Sequence, residues 1–412
     1  MEKFLTKINY SLGIEETRYD INVNSRTLIV TGGNGCGKTS LLNQINSKIK
    51  TLCVEKKHSK ISDIQRDIKF WEEQLNSFPR GNAQHQNAKI QLEYQRESLN
   101  SLEKGVTLEF KDINEISALL DEKKAIFNYF QADRKATIQE SIGATKVSLQ
   151  EKFNNNHSHN NMSLGNEFEN HLVNLKTRQS FAKTFDDNES LYESMETWFI
   201  NLEKSISFLM EDESFKLIFD PDKFKFYLQQ DNKPQYTFQT LSSGYSSIFN
   251  IVSELIMMTE ANDISPSDLQ GIVLIDEIDA HLHVSLQRKI LPFLTRTYPR
   301  IQFLVTTHSP FVIGSLDNAI IYDLSSQHEF SDLSNYSYET IIEGLLGVPV
   351  VSISLEKDTK RLSALLVEEN IDKAAITELV EKLSPHQENL DDESAVFLLK
   401  ARRVLREYKE TK

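Results

Sequence analysis

Arg26-Thr27-Leu28-Ile29-Val30 leads through Thr31 into Gly32-Gly33-Asn34-Gly35-Cys36-Gly37-Lys38-Thr39, an apolar run followed by the spacing G-x-x-x-x-G-K-T. The run predicts a buried strand. The four glycines let the backbone curl so that successive N–H groups face phosphate oxygens. In such a turn Lys38 reaches the outer phosphates and Thr39 offers its hydroxyl to Mg²⁺. Leu41, Leu42 and Ile45 then recur at i, i+1 and i+4, as in a helix laying one face on a sheet. Strand, loop and helix in this order predict a nucleoside triphosphate site formed by Gly32, Gly33, Asn34, Gly35, Cys36, Gly37, Lys38, Thr39 and Ser40, rather than a flexible glycine-rich turn.

Three further motifs follow far along the chain. Gly271-Ile272-Val273-Leu274-Ile275-Asp276-Glu277 is an apolar strand ending in two carboxylates. Asp276 is suited to hold Mg²⁺ through water, and Glu277 to polarise the water that attacks in line at a γ-phosphate. Leu241-Ser242-Ser243-Gly244-Tyr245 precedes the helical run Ile248–Ile256 and forms a second anion-binding helix start. One chain does not need two such ends for a single γ-phosphate, so Ser242, Ser243 and Gly244 are expected to act in trans on a neighbour's nucleotide. Phe303-Leu304-Val305-Thr306-Thr307-His308-Ser309-Pro310 is a strand closed by polar residues, with His308 expected to contact the γ-phosphate region.

The chain has 412 residues and a formal net charge of −14, with 39% hydrophobic and 26% charged residues. That is the composition of a soluble globular protein of two or three domains, and its surface lacks the overall positive field that attracts nucleic acid. Two cysteines, Cys36 and Cys53, make no disulfide framework and suggest a reducing cytoplasm. Met1-Glu2-Lys3-Phe4 does not read as the charged-then-apolar start expected of a signal sequence, and no apolar run approaches the ~20 residues that span a bilayer.

Six segments are expected. Residues 1–58 carry the phosphate loop. In 59–105, Ile61, Ile64, Ile68, Trp71, Leu75 and Phe78 form a heptad seam; Pro79-Arg80-Gly81-Asn82 makes a turn, and Ala88, Leu92, Gln95, Leu99 and Leu102 continue the rhythm. Two readings stay open for this hairpin: a support lying on the core, or an arm of about 27 Å, at 1.5 Å per residue, that meets a partner. The stretch 106–135 reads as core strands ending at Ala125–Phe130, after which Gln131 is placed to face the nucleotide. Residues 136–215 read as a helical insert with a mobile polar loop, Asn154–Asn161, whose His157 and His159 lack partners at metal-ligand spacing. The segment 216–325 returns to the core through the strands Lys216–Phe219 and Lys223–Leu228. The last, 326–412, is expected to be helical, with Asp391-Asp392-Glu393 favouring a helix start.

Phosphate loop, Leu241–Tyr245, Leu274–His283 and Thr306–Pro310, taken together, resemble the ABC-type ATPase family. The likeness lies with the branch that holds SMC, DNA-repair and OLD ATPases, over about residues 20–58, 120–135 and 215–325. It implies an α/β ATPase head with a mixed β-sheet core, an inserted antiparallel coiled-coil hairpin and a helical C-terminal tail, and ATP rather than GTP. By the same resemblance Ser243 and Gly244 belong to the signature that caps the opposite subunit's ATP, Gln131 is the loop glutamine that senses Mg²⁺, and Asp279 lies in the D-loop at the dimer seam. Tyr245 departs from the family's Gln or Glu and is expected to alter rate or conformational response, not closure. His281 and His283 belong to the loop after the carboxylates, and no metal is assigned to them. The tail does not fit the Toprim nuclease pattern of OLD proteins. Size, short hairpin and helical tail resemble the ATPase components of antiphage systems such as Septu, PARIS and some retrons. That implies a homodimer or higher homo-oligomer acting on a separately encoded effector, usually a nuclease, under a phage-derived trigger. The alternative implied by the branch is an SMC-like ATPase that tethers DNA, against which stand the short arms and the acidic balance.

Overall fold

The computed structural model describes residues 4–12, 17–79, 81–103, 105–144, 163–367 and 372–410. The expected loop at Asn154–Asn161 lies outside the described residues, as does Arg80 of the expected turn. Two compact units divide the chain, Met1–Tyr336 and Ser337–Lys412. Among the described residues no helix is long and apolar enough to cross a membrane.

The first unit opens with β1 (Leu5–Leu12), β2 (Thr17–Asn22), β3 (Thr27–Thr31) and α1 (Lys38–Ile49). The helices α2 (His58–Ser77) and α3 (Ala83–Glu103) follow, then β4 (Val106–Phe110), α4 (Ile113–Asp121) and β5 (Ala125–Phe130). Next come α5 (Phe168–Thr184), α6 (Glu189–Met210), β6 (Lys216–Asp220), β7 (Lys225–Gln229) and α7 (Ser243–Asn262). The unit closes with β8 (Gln270–Ile275), α8 (Val284–Gln287), α9 (Ile290–Thr297), β9 (Arg300–Thr306), α10 (Pro310–Ile313), β10 (Ala319–Asp323) and β11 (His328–Ser331).

The order β11-β10-β3-β9-β8-β5 makes a six-stranded sheet in which all neighbours are parallel except β11 against β10. Parallel strands buried on both faces read as continuous apolar runs, which is why Thr27–Thr31 and Ala319–Asp323 are buried throughout. A second, antiparallel sheet has the order β2-β1-β4. Between the two sheets α1 buries Leu41, Leu42, Ile45 and Ile49 in a core with Ile8, Ile21, Leu28, Val30, Ile272 and Leu304. Each such side chain contributes about 1.5–3 kcal/mol by leaving water. One buried side chain pins the sheets together. Gln302 on β9 accepts the Leu5 N–H through Oε1 (2.8 Å) and donates through Nε2 to the carbonyls of Leu5 (2.9 Å) and Arg26 (3.0 Å).

In the α2/α3 hairpin the seam residues Ile64, Ile68, Trp71 and Leu75 are half-buried, while Ala88 and Leu92 are buried. An Arg96–Glu72 ion pair (2.7 Å) links the arms. Two stretches differ from the sequence reading. Within 106–135 lies a helix, α4, started by Asp112, whose carboxylate accepts the N–H groups of Asn114 and Glu115. Within 326–412 the first element is a strand, because His328–Ser331 pairs with β10. Strands β6 and β7 form a separate two-stranded ribbon.

The second unit consists of α11 (Tyr338–Gly344), α12 (Ile353–Leu365), α13 (Lys373–Leu383) and α14 (Asp392–Glu410). Ser337, Ser352 and Asp372 cap the first three by accepting backbone N–H groups. The apolar sides meet at Leu362, Ile376, Leu379, Leu398 and Ala401. Asp391 accepts the Ser394 N–H at the start of α14, the helix-start role expected of these acids.

Candidate nucleotide-binding site

The carboxyl ends of five parallel strands point to one edge of the large sheet, where ligands bind in open α/β folds. The phosphate loop follows β3, Gln131 follows β5, Asp276 and Glu277 follow β8, and His308 follows β9. These residues, from Gly32 to His308, are separated by up to 276 positions in sequence and are gathered by strand order alone.

The loop turns through left-handed backbone at Gly32, Gly35 and Gly37, with φ of 136°, 79° and 99°. Gly37 is the N-cap of α1 and provides no side-chain cap, so the first N–H groups of a 12-residue helix are left for a ligand. Lys38 begins that helix and is 6% exposed. Its ammonium donates to the carbonyls of Gly32 (3.0 Å) and Gly33 (3.1 Å) and lies 3.7 Å from Cys36 Sγ. Among the described residues no carboxylate pairs with it. A buried cation held only by neutral groups, beside an uncapped helix start, fits a phosphate chain. Thr39 and Ser40 are exposed at the same end.

Asp276 is 1% exposed, and its Oδ1 accepts the Thr306 hydroxyl at 2.6 Å. The Thr306 oxygen in turn accepts the Glu277 N–H at 2.7 Å. Glu277 is half-buried with φ 46°, a left-handed conformation costing about 1–3 kcal/mol that persists only where the surroundings impose it. Asp279 accepts the Thr307 hydroxyl at 2.5 Å. Burial, followed by the Lys38 ammonium, holds the His308 imidazole below its usual range, against the opposing pull of Asp279 and Glu277. His308 is therefore neutral near pH 7 and within electrostatic reach of Lys38, Glu277 and Asp279. Gln131 has an exposed side chain at the end of β5. His283 caps α8, its Nδ1 lying 2.9 Å from Ser285 Oγ.

Three residues at this edge escaped the sequence reading. Arg134 donates to the carbonyls of Gln131, Asp276, Glu277 and Ile278. Its burial lowers the guanidinium pKa to about 10 despite Asp279, Asp276 and Glu277 nearby. Thr306 organises both carboxylate residues, as described. Ser325 accepts the Gly33 N–H at 2.8 Å, and its own N–H donates to the buried Asp323 (2.9 Å). Ala319–Asp323 repeats the apolar-run-then-acid pattern of Gly271–Asp276, a signal that marks its strand end.

Ser242 and Ser243 are exposed at the start of α7, with no side-chain cap on its N–H groups. Gly244 is half-buried, and a Cβ there would stand 2.7 Å from the carbonyl oxygen of His281, in the loop after the carboxylates. Tyr245 donates its hydroxyl to the Met210 carbonyl at 3.3 Å, tying α7 to the end of α6. Gly244→Ala is expected to shift urea unfolding by about 1–2 kcal/mol toward lower stability, the clash outweighing a helix-propensity gain of about 1 kcal/mol. An unchanged unfolding midpoint would show that this contact is not close-packed.

The "Retron Ec83 probable ATPase" of Escherichia coli is 42% identical over 93 residues, 22% of this chain and 17% of that protein. The "Septu protein PtuA" of Bacillus mycoides (strain KBAB4) is 36% identical over 131 residues, 31% of this chain and 18% of that protein. The matches thus span less than a fifth of the length of these two relatives. Among solved structures, an SMC head bound to the C-winged helix domain of ScpA aligns with 81% of this chain and 100% of that one, at 13% identity and a TM-score of 0.40. The profile of the family described as "AAA domain, putative AbiEii toxin, Type IV TA system" matches residues 53–314, more than half of the sequence, and the chain belongs to that family.

Proposed function

We propose that the chain is an ATPase of a prokaryotic antiphage defence system, in which two copies enclose two ATP molecules and control a separately encoded effector, a nuclease. Each ATP is held by Lys38, Thr39 and Asp276 of one copy and capped by Ser242, Ser243 and Gly244 of the other. The observation that carries this reading is the second helix start: α7 offers exposed serines and uncapped N–H groups in a chain that already has a complete phosphate loop on α1. Mg²⁺, when bound, neutralises phosphate charge, and Thr39 and Asp276 are the residues that would hold it. Glu277, aimed by its imposed backbone conformation, accepts a proton from the attacking water. His308 is able to donate a hydrogen bond to the γ-phosphate. The retron and Septu names of the relatives support the defence setting.

Mixing tests the shared pocket. Lys38→Ala lacks a working phosphate loop and Ser243→Arg a working cap, so each alone is expected to be inactive. In a two-fold dimer each mixed pair regains one intact pocket, and an equimolar mixture should recover about a quarter of the unaltered turnover. No recovery, with both variants folded and associating, would refute capping in trans.

A further inference from the structure

Four backbone carbonyls converge on one buried guanidinium. Arg134 Nη1 donates to Gln131 O (3.2 Å) and Asp276 O (2.7 Å), and Nη2 to Glu277 O (3.0 Å) and Ile278 O (3.0 Å). The residue is 5% exposed. Its terminal nitrogens are thus directed at backbone, not at a site for phosphate. Removing a cation from water to bind neutral carbonyls is costly, and a single neutral donor would satisfy one of them more cheaply. What the planar fork adds is simultaneous reach to two strand ends, those of β5 and β8.

The turn 276–278 is held from its other side by Thr306, whose hydroxyl oxygen accepts the Glu277 N–H and whose carbonyl accepts the Ile278 N–H at 3.0 Å. Thr306 takes the N–H groups and Arg134 the carbonyls of the same residues. Between these two grips lies the left-handed Glu277, whose side-chain direction follows from its backbone angles. Because Nη1 also grips Gln131, a shift of that loop pulls on the turn.

We propose that Arg134 is a positioning residue for ATP hydrolysis, fastening the Gln131 loop to the turn that aims the Glu277 carboxylate, so that the state of one sets the geometry of the other. The chemistry rests on the ATPase reading above; the fastening does not. The test uses the full chain with Arg134→Lys and, separately, Arg134→Ala, measuring phosphate release, affinity for a fluorescent ATP analogue with Mg²⁺, and deuterium exchange of peptides covering residues 276–279. Lys keeps the charge but loses the fork. Since a misplacement of about 1 Å costs up to about 100-fold in rate, kcat is expected to fall about 10-fold in Arg134→Lys and about 100-fold in Arg134→Ala. Affinity should change by less than about threefold, as for a group that acts on the transition state alone. Exchange at 276–279 should accelerate in both. Arg134→Lys with unaltered kcat overturns the proposal, as does a loss of kcat matched by loss of affinity and of melting temperature, the signature of a general structural role. If Arg134→Ala does not fold, Arg134→Lys decides. Absence of phosphate release by the unaltered chain would sink the ATPase reading, whereas unaltered exchange at 276–279 in Arg134→Lys would sink the fastening.

Discussion

Glu277→Gln is expected to bind ATP and associate, yet release phosphate about 100- to 1000-fold more slowly than the unaltered chain, the usual range for loss of a general base. The substitution preserves size and the amide N–H that bonds Thr306, so the turn at 276–278 keeps its hold. What is lost is a carboxylate able to take a proton from water. With hydrolysis blocked, the closed state has no exit, and the ATP-bound dimer should persist through size-exclusion chromatography when the unaltered protein reverts to monomer. Equal phosphate release by the two proteins would remove Glu277 from this role. Retained slow turnover with no accumulation of dimer would separate the carboxylate from control of closure.

Lys38→Ala is expected to weaken ATP binding about 100-fold or more, corresponding to loss of a charge-assisted contact worth about 1.5–3 kcal/mol and of the charge itself in a buried setting. Its effect on folding should be opposite in sense. The ammonium sits among two carbonyls and a sulfur with no carboxylate beside it among the described residues, so removing it relieves a desolvated charge. Thermal unfolding without nucleotide should therefore occur at the same or a higher temperature, while the stabilisation that ATP confers on the unaltered chain disappears. Titration calorimetry and a thermal shift with and without Mg²⁺-ATP measure both. Undiminished affinity, or a lower melting temperature in the absence of nucleotide, would show that Lys38 serves the loop's own structure.

The α/β architecture was legible because its central strands are buried on both faces and so announce themselves as apolar runs, each ending in the polar residues of the site. Thr27–Thr31, Gly271–Ile275 and Phe303–Thr306 all read this way. Helix α4 was missed because Leu119, Leu120 and the following Ala125–Phe130 read as one extended pattern, although Asp112 and Glu115 carry the spacing of a capping box that marks a helix start. Strand β11 is short and largely exposed, with no apolar run to betray it. At the site, side chains that would touch the nucleotide follow their own strand ends and were readable. The residues that hold those groups in place were not, since Arg134 acts on a turn 142 positions away and Ser325 on a glycine 292 positions away. Such partnerships exist only once the sheet has assembled.

The contact between Gly244 and the His281 carbonyl has a bearing on how two sites would share their work. In the proposed pair, the helix that would cap a neighbour leans on the loop trailing the carboxylates of its own chain. Hydrolysis that shifted that loop would, in such a pair, also shift the lid offered to the neighbour. Nucleotide occupancy curves for such a pair should depart from those of two independent sites.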